Sequence, residues 1–176
     1  APTSTPEQLE CLGNLWSEHP DCIMQTHLSE QLEEINWVKE LYPKAENYLS
    51  VYDKFNLVRE NSIFGHCIHL SEKELETLEE RNSSVAHCPT SNLFIGSGVF
   101  NLRSFNEKKI KVGLATDTGG GTFFSMLKTM SETYKISQLS HFSIHPAQLL
   151  WLATMGSSIA LNLGTEIGNI EKNYFA

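Results

Sequence analysis

No C-x-x-C pair occurs in this 176-residue sequence, and its four cysteines, Cys11, Cys22, Cys67 and Cys88, are scattered. That removes the paired-ligand spacing of a structural zinc site and argues against a disulfide framework. Cys22, Cys67 and Cys88 lie in apolar runs, where a free thiol behaves as a small buried hydrophobe. A reducing, cytoplasmic compartment is the expectation. No block of Lys or Arg occurs either, and 21 acidic against 13 basic residues give a formal net charge of −8. A nucleic-acid backbone is therefore not an expected partner. No apolar run approaches the ~20 residues that cross a bilayer, so no membrane partner is expected. The opening Ala1-Pro-Thr-Ser-Thr-Pro6 has neither the charged nor the apolar part of a secretory leader and no initiator Met, which suggests a processed or excised segment. Gly119-Gly-Gly121 lacks the Lys and Ser/Thr of a phosphate-binding loop, so phosphate binding there is weakly supported.

What is present is an alternation. The length is that of one domain, residues 1–176, with no convincing linker. Thr5-Pro-Glu-Gln8 is a capping box opening a helix with Leu9, Leu12, Leu15 and Trp16. A strand Cys22–His27 follows. Ser29 is the expected cap of a second helix carrying Leu32, Ile35, Val38 and Leu41. Residues 42–60 read as a loop with a short helix. Ile63–Ile68 is the second strand, and Ser71-Glu-Lys-Glu74 caps the helix of Leu75 and Leu78. Ser84–Cys88 is the third strand, and Thr90–Val99 reads as a polar loop. A short helix near Leu102 leads to the fourth strand, Val112–Ala115. Helices follow over residues 124–138, 146–153 and 157–161, with Gly164 as a cap. Strand and helix thus alternate four times, the pattern of parallel βα units in an α/β fold.

Chemistry gathers at the strand ends. Val112–Ala115 runs into Asp117 and then Gly119–Gly121. Asp117 there is either a ligand-facing carboxylate or the cap of the next helix. If the strands are parallel neighbours, His27, His66 and Asp117 project from one rim, where ligands gather in such folds. Imidazole and carboxylate suit zinc with an open position. Glu30, one turn past His27, stands where a proton shuttle belongs, although it is equally a first-turn helix residue. The same His-Leu-Ser-Glu recurs at His69–Glu72. Only His27 closes its strand directly, so His69 and Glu72 are expected at a helix entry. His87 either lines the pocket or points outward, and outward is the expectation.

Together these motifs resemble the guanine deaminases of the metal-dependent amidohydrolase superfamily. The matching stretches are Gln25-Thr-His-Leu-Ser-Glu30, Gly65-His-Cys67, Ala86-His-Cys-Pro-Thr-Ser-Asn-Leu-Phe94, Gly96-Ser-Gly98, Thr116-Asp-Thr-Gly-Gly-Gly-Thr122 and Phe124-Ser-Met-Leu127. The resemblance implies a (β/α)8 barrel of TIM type and hydrolysis of guanine to xanthine and ammonia. It implies His27 and Asp117 as zinc ligands, and Glu30, His66 and Asp117 as catalytic groups. Glu30 would shuttle protons, His66 would polarise the attacking water, and Asp117 would take its proton. His27, Glu30 and Asp117 would also face the purine. The family's His-x-His pair on the first barrel strand is absent here, so the four strands correspond to strands five to eight, the C-terminal part of the barrel. An arginine that contacts guanine in the family would fall before Ala1, and Ile167–Lys172 resembles the return to a small β-domain. Two other readings compete: a non-catalytic half-barrel or pseudoenzyme serving as an assembly unit, and a deaminase of another amino-substituted heterocycle. Four barrel strands leave open edges, so a homo-oligomer is expected.

Overall fold

A computed structural model gives the fold and describes residues 1–175. Four strands, β1 (Met24–Leu28), β2 (Ser62–His66), β3 (Ser84–His87) and β4 (Lys111–Leu114), form one sheet in the order β1-β2-β3-β4. Every neighbouring pair is parallel. A doubly wound sheet reverses its strand order at a switch point, whereas barrel strands follow one another in sequence. The strictly sequential order is therefore that of a barrel wall, as the alternation of motifs predicted.

Nine helices surround the sheet among the described residues: α1 (Pro6–Glu18), α2 (Leu32–Leu41), α3 (Tyr48–Asp53), α4 (Glu72–Glu80), α5 (Pro89–Phe94), α6 (Leu102–Glu107), α7 (Met126–Leu139), α8 (Pro146–Ala153) and α9 (Met155–Ala160). Two of the predicted capping boxes form. Thr5 Oγ1 accepts from Gln8 N while Gln8 Oε1 accepts from Thr5 N. Ser71 and Glu74 repeat the arrangement, and Glu74, almost fully buried, also accepts from Leu49 N, tying α4 to α3. Leu28, Phe64, Val85, Leu49 and Leu78 belong to one buried cluster between sheet and helices. Each such side chain contributes roughly 1.5–3 kcal/mol by leaving water.

Four expectations need correction. Ser29 does not cap α2; it is buried with φ 48°, and Gln31 with Glu34 forms the capping box instead. The sharp bend that this φ makes delays the helix by two residues. The supposed loop at Thr90–Val99 begins with α5, whose Pro89, Thr90, Ser91 and Asn92 are all buried. Its polar residues hide the apolar period by which a helix is read. Cys22 is exposed, because β1 starts only at Met24, whereas Cys67 and Cys88 are buried as expected. Finally, Gly164 does not cap α9, which ends at Ala160 with Leu161 as its cap; the left-handed residue that follows is Asn162 (φ 56°).

Candidate active site

The C-terminal ends of the strands bring the titratable residues together. His27 is the penultimate residue of β1 and pairs in register with Gly65 on β2. A Cβ at Gly65 would lie 3.4 Å from the His27 ring, at van der Waals contact, so the imidazole lies close over the β2 backbone. His66 closes β2, and its ring meets that of His27 edge to face at 4.9 Å. Glu30 follows the bend at Ser29. One ligand atom from each of His27, Glu30 and His66 lies within 4.8 Å of the others. His66 Nε2 stands 3.5 Å from Glu30 Oε2 and 4.0 Å from Asp117 Oδ2. Asp117 thus joins the group through His66, three residues past the end of β4.

The backbone is bent at these points. Ser29, His66, Cys67 and Asp117 all have positive φ, between 48° and 68°. Non-glycine residues hold such angles at a cost of order 1–3 kcal/mol, and only where the surroundings over-determine them. After Asp117 the chain turns on itself, with Gly120 N and Gly121 N both donating to the Asp117 carbonyl. The glycines therefore serve the chain's own close approach, not only that of a ligand. A Cβ at Gly121 would fall 1.7 Å from Thr116 O, and one at Gly120 would meet Ser91 Oγ and Asp117 Oδ2.

A further shell of residues, not anticipated from the sequence, holds the site. His66 Nδ1 lies 2.8 Å from Asn92 Oδ1 on α5. Ser97 Oγ donates to Glu30 Oε1 at 2.8 Å, leaving Oε2 toward His66. Glu34 accepts from Glu30 N and from the Tyr48 hydroxyl, and the Tyr52 hydroxyl donates to the His27 carbonyl. Tyr48 and Tyr52 stack at 5.7 Å.

The two His-Leu-Ser-Glu copies separate cleanly. His69 Nε2–H donates to the Ser97 carbonyl, away from the cluster. Glu72, 69 % exposed, pairs with Lys108 on the surface at the entry of α4. His87 is buried and stacked on Phe100 at 4.4 Å. Burial, and then the neighbouring His66, push its pKa down to about 3, so it is neutral near pH 7. Burial likewise raises the Cys67 thiol, and burial with the nearby Asp117 carboxylate pushes Cys88 up to about 12. Neither thiol is poised as a thiolate ligand.

Two imidazoles and a carboxylate this close, with a second carboxylate beside them, form a donor set that fits zinc. The amidohydrolase family model matches residues 1–176. The guanine deaminase of Escherichia coli is 48 % identical over 169 residues, covering 96 % of this chain and 38 % of that protein. A structure of E. coli guanine deaminase superposes with a TM-score of 0.98 at 47 % identity, covering all of this chain and 41 % of that one. A guanine deaminase from C. acetobutylicum, solved with guanine in its active site, is 31 % identical with a TM-score of 0.93, over 99 % of this chain and 42 % of that one. An adenosine deaminase from Xanthomonas campestris with bound zinc shares the fold at 24 % identity and a TM-score of 0.87, over 96 % of this chain and 39 % of that one. The chain spans about two fifths of the length of these proteins. It belongs to the amidohydrolase family, a metal-dependent superfamily, and its fold is part of a TIM-type barrel.

Proposed function

We propose that this chain is the C-terminal part, strands five to eight, of a zinc-dependent barrel enzyme that hydrolyses guanine to xanthine and ammonia. The observation that carries the reading is the His27–Glu30–His66 cluster with Asp117 beside it, in a chain 48 % identical to a guanine deaminase. His27 and Asp117 would hold the zinc. Bound zinc supplies a lowered pKa for water, from ~16 toward ~7. His66, through Nε2, orients and polarises the attacking water. Asp117 takes the water's proton. Glu30, held by Ser97 through one oxygen, carries a proton with the other to the departing amine. His27, Glu30 and Asp117 line the place of the purine. Water adds, the exocyclic C–N bond breaks, and ammonia leaves.

The closeness of His27, Glu30 and His66 favours a second ligand set in which Glu30 and His66 also hold the metal. Glu30→Gln distinguishes the two, since zinc is retained only if Glu30 is a shuttle. We place the enzyme in the cytoplasm, in keeping with four free cysteines, and as a homo-oligomer. No helix among the described residues is long and apolar enough to cross a membrane. Metal analysis with a guanine-to-xanthine assay on the protein in its native length tests the proposal. Zinc near one per site with xanthine formation is expected, and metal-free protein or no turnover overturns it.

A further inference from the structure

We infer that Asn92 is a positioning residue that fixes the tautomer of His66, holding its proton on Nδ1 and turning the bare Nε2 toward Glu30 and Asp117. The inference rests on His66 acting at the site as proposed above. Asn92 Oδ1 and His66 Nδ1 are 2.8 Å apart, and both residues are almost fully buried. An amide oxygen only accepts, so Nδ1–H must donate, and a neutral imidazole then presents a lone pair at Nε2. That lone pair faces the cluster: Nε2 lies 3.5 Å from Glu30 Oε2 and 4.0 Å from Asp117 Oδ2. Both distances exceed those of a settled N–H···O bond, as expected if Nε2 has no proton to donate.

The burial of Asn92 supports a role beyond packing. Its Nδ2 is buried without a partner, a loss that a leucine of similar size would avoid. The oxygen is the atom of the amide that finds a partner. The backbone holds that oxygen in place: Asn92 N donates to Cys88 O, and Ser97 N donates to Asn92 O. Ser97 is the residue that orients Glu30, and His69 clamps its carbonyl. The stretch from Asn92 to Ser97 thus reaches both His66 and Glu30. A carboxylate in place of Asn92 would supply the same acceptor but add a third negative group beside Glu30 and Asp117. The amide gives the acceptor without the charge.

The test is made on the native-length protein with 15N-labelled histidine, where long-range proton–nitrogen spectra separate the two neutral tautomers. Wild-type His66 is expected as the Nδ1–H form. Asn92→Ala should lose that form and about 10–100-fold in kcat, the usual range for an outer-shell partner, with KM nearly unchanged. Asn92→Asp should keep the tautomer and turn over faster than Asn92→Ala. An Nε2–H form in the wild type, full kcat in Asn92→Ala, or an Asp variant no better than Ala each overturns the inference. If Asn92→Ala fails to fold, the wild-type tautomer and the Asp variant decide. The tautomer is read without substrate. A protein with the expected tautomers but no guanine turnover refutes the proposed function alone, and guanine turnover with an Nε2–H tautomer refutes this inference alone.

Discussion

Glu30 and Glu72 follow identical His-Leu-Ser triplets, so exchanging each for Gln compares two sites with the same local sequence. Glu30 is 15 % exposed, accepts from Ser97 Oγ at 2.8 Å and lies 3.5 Å from His66 Nε2. Its amide isostere keeps the size and the acceptor toward Ser97 but loses the ability to take and release a proton. Loss of a general acid/base costs ~10²–10⁴ in rate, or about 3–5 kcal/mol of barrier. Glu72 is 69 % exposed and touches only Lys108 among the charged groups near it, a surface pair of the kind that contributes little. Glu72→Gln should leave kcat within about twofold. The assay is xanthine formation by absorbance in the native-length protein, with zinc content measured on the same samples. The expected result is a 10²–10⁴-fold drop for Glu30→Gln with zinc retained. Full activity in Glu30→Gln, or a larger loss in Glu72→Gln, would refute the reasoning. A loss of zinc together with activity in Glu30→Gln would move Glu30 into the ligand set.

Asp117→Asn should lower both zinc content and turnover if Asp117 is the base and zinc ligand proposed above, since the change keeps volume and removes the charge; unchanged metal and activity would reject the assignment. Gly121→Ala should destabilise the Asp117 turn severely, since the new methyl would fall 1.7 Å from Thr116 O, and a thermal midpoint equal to wild type would contradict that geometry. His87 has a folded pKa of about 3 against an ordinary value of 6.5, so between those values the unfolded state binds more protons. Stability should therefore fall as pH drops through 6.5 toward 3, and His87→Phe should flatten this slope in denaturant titrations at several pH values; an unchanged slope counts against it. The 176-residue chain expressed by itself should self-associate, because β1 and β4 have no second strand partner among the described residues and a cavity of about 370 Å³ lined by Leu9, Leu12, Leu15, Trp16 and Ile23 flanks β1. Light scattering that finds a stable monomer would overturn this.

The parallel alternation was legible because each strand is a short apolar run bounded by capping signals that the chain then uses, as at Thr5–Gln8 and Ser71–Glu74. The convergence of His27, His66 and Asp117 was legible for the same reason: sequential parallel strands place their ends on one rim. What stayed hidden was the second layer. Asn92, Ser97 and Tyr52 carry no spacing that announces them, since each acts on a residue 25 or more positions away, and Glu34 reads only as a first-turn helix residue although it accepts from Glu30 N. The buried polar face of α5 also imitates a loop, since helical periodicity is read from apolar residues and this helix buries Thr, Ser and Asn. The Ser29 error has the same root. A Ser before a helix is a good cap, but this one is spent on the bend that aims Glu30 inward.

The two His-Leu-Ser-Glu copies show what does decide function in such a fold. Their residues are the same, and both precede a helix. The difference is where the strand ends relative to the histidine. His27 lies inside β1, in register with Gly65, and the bend at Ser29 then brings Glu30 to the same rim. For the second copy β2 has already ended at His66, three residues earlier. His69 is therefore carried past the rim and used as a clamp on Ser97, and Glu72 emerges on the surface as the first residue of α4. Shifting a histidine by three residues past a strand end thus converts a site group into a support for the site. The clamp is not wasted: Ser97, which His69 holds, is the residue that orients Glu30. One copy supplies Glu30, the proton carrier of the proposed mechanism, and the other holds the residue that contacts it.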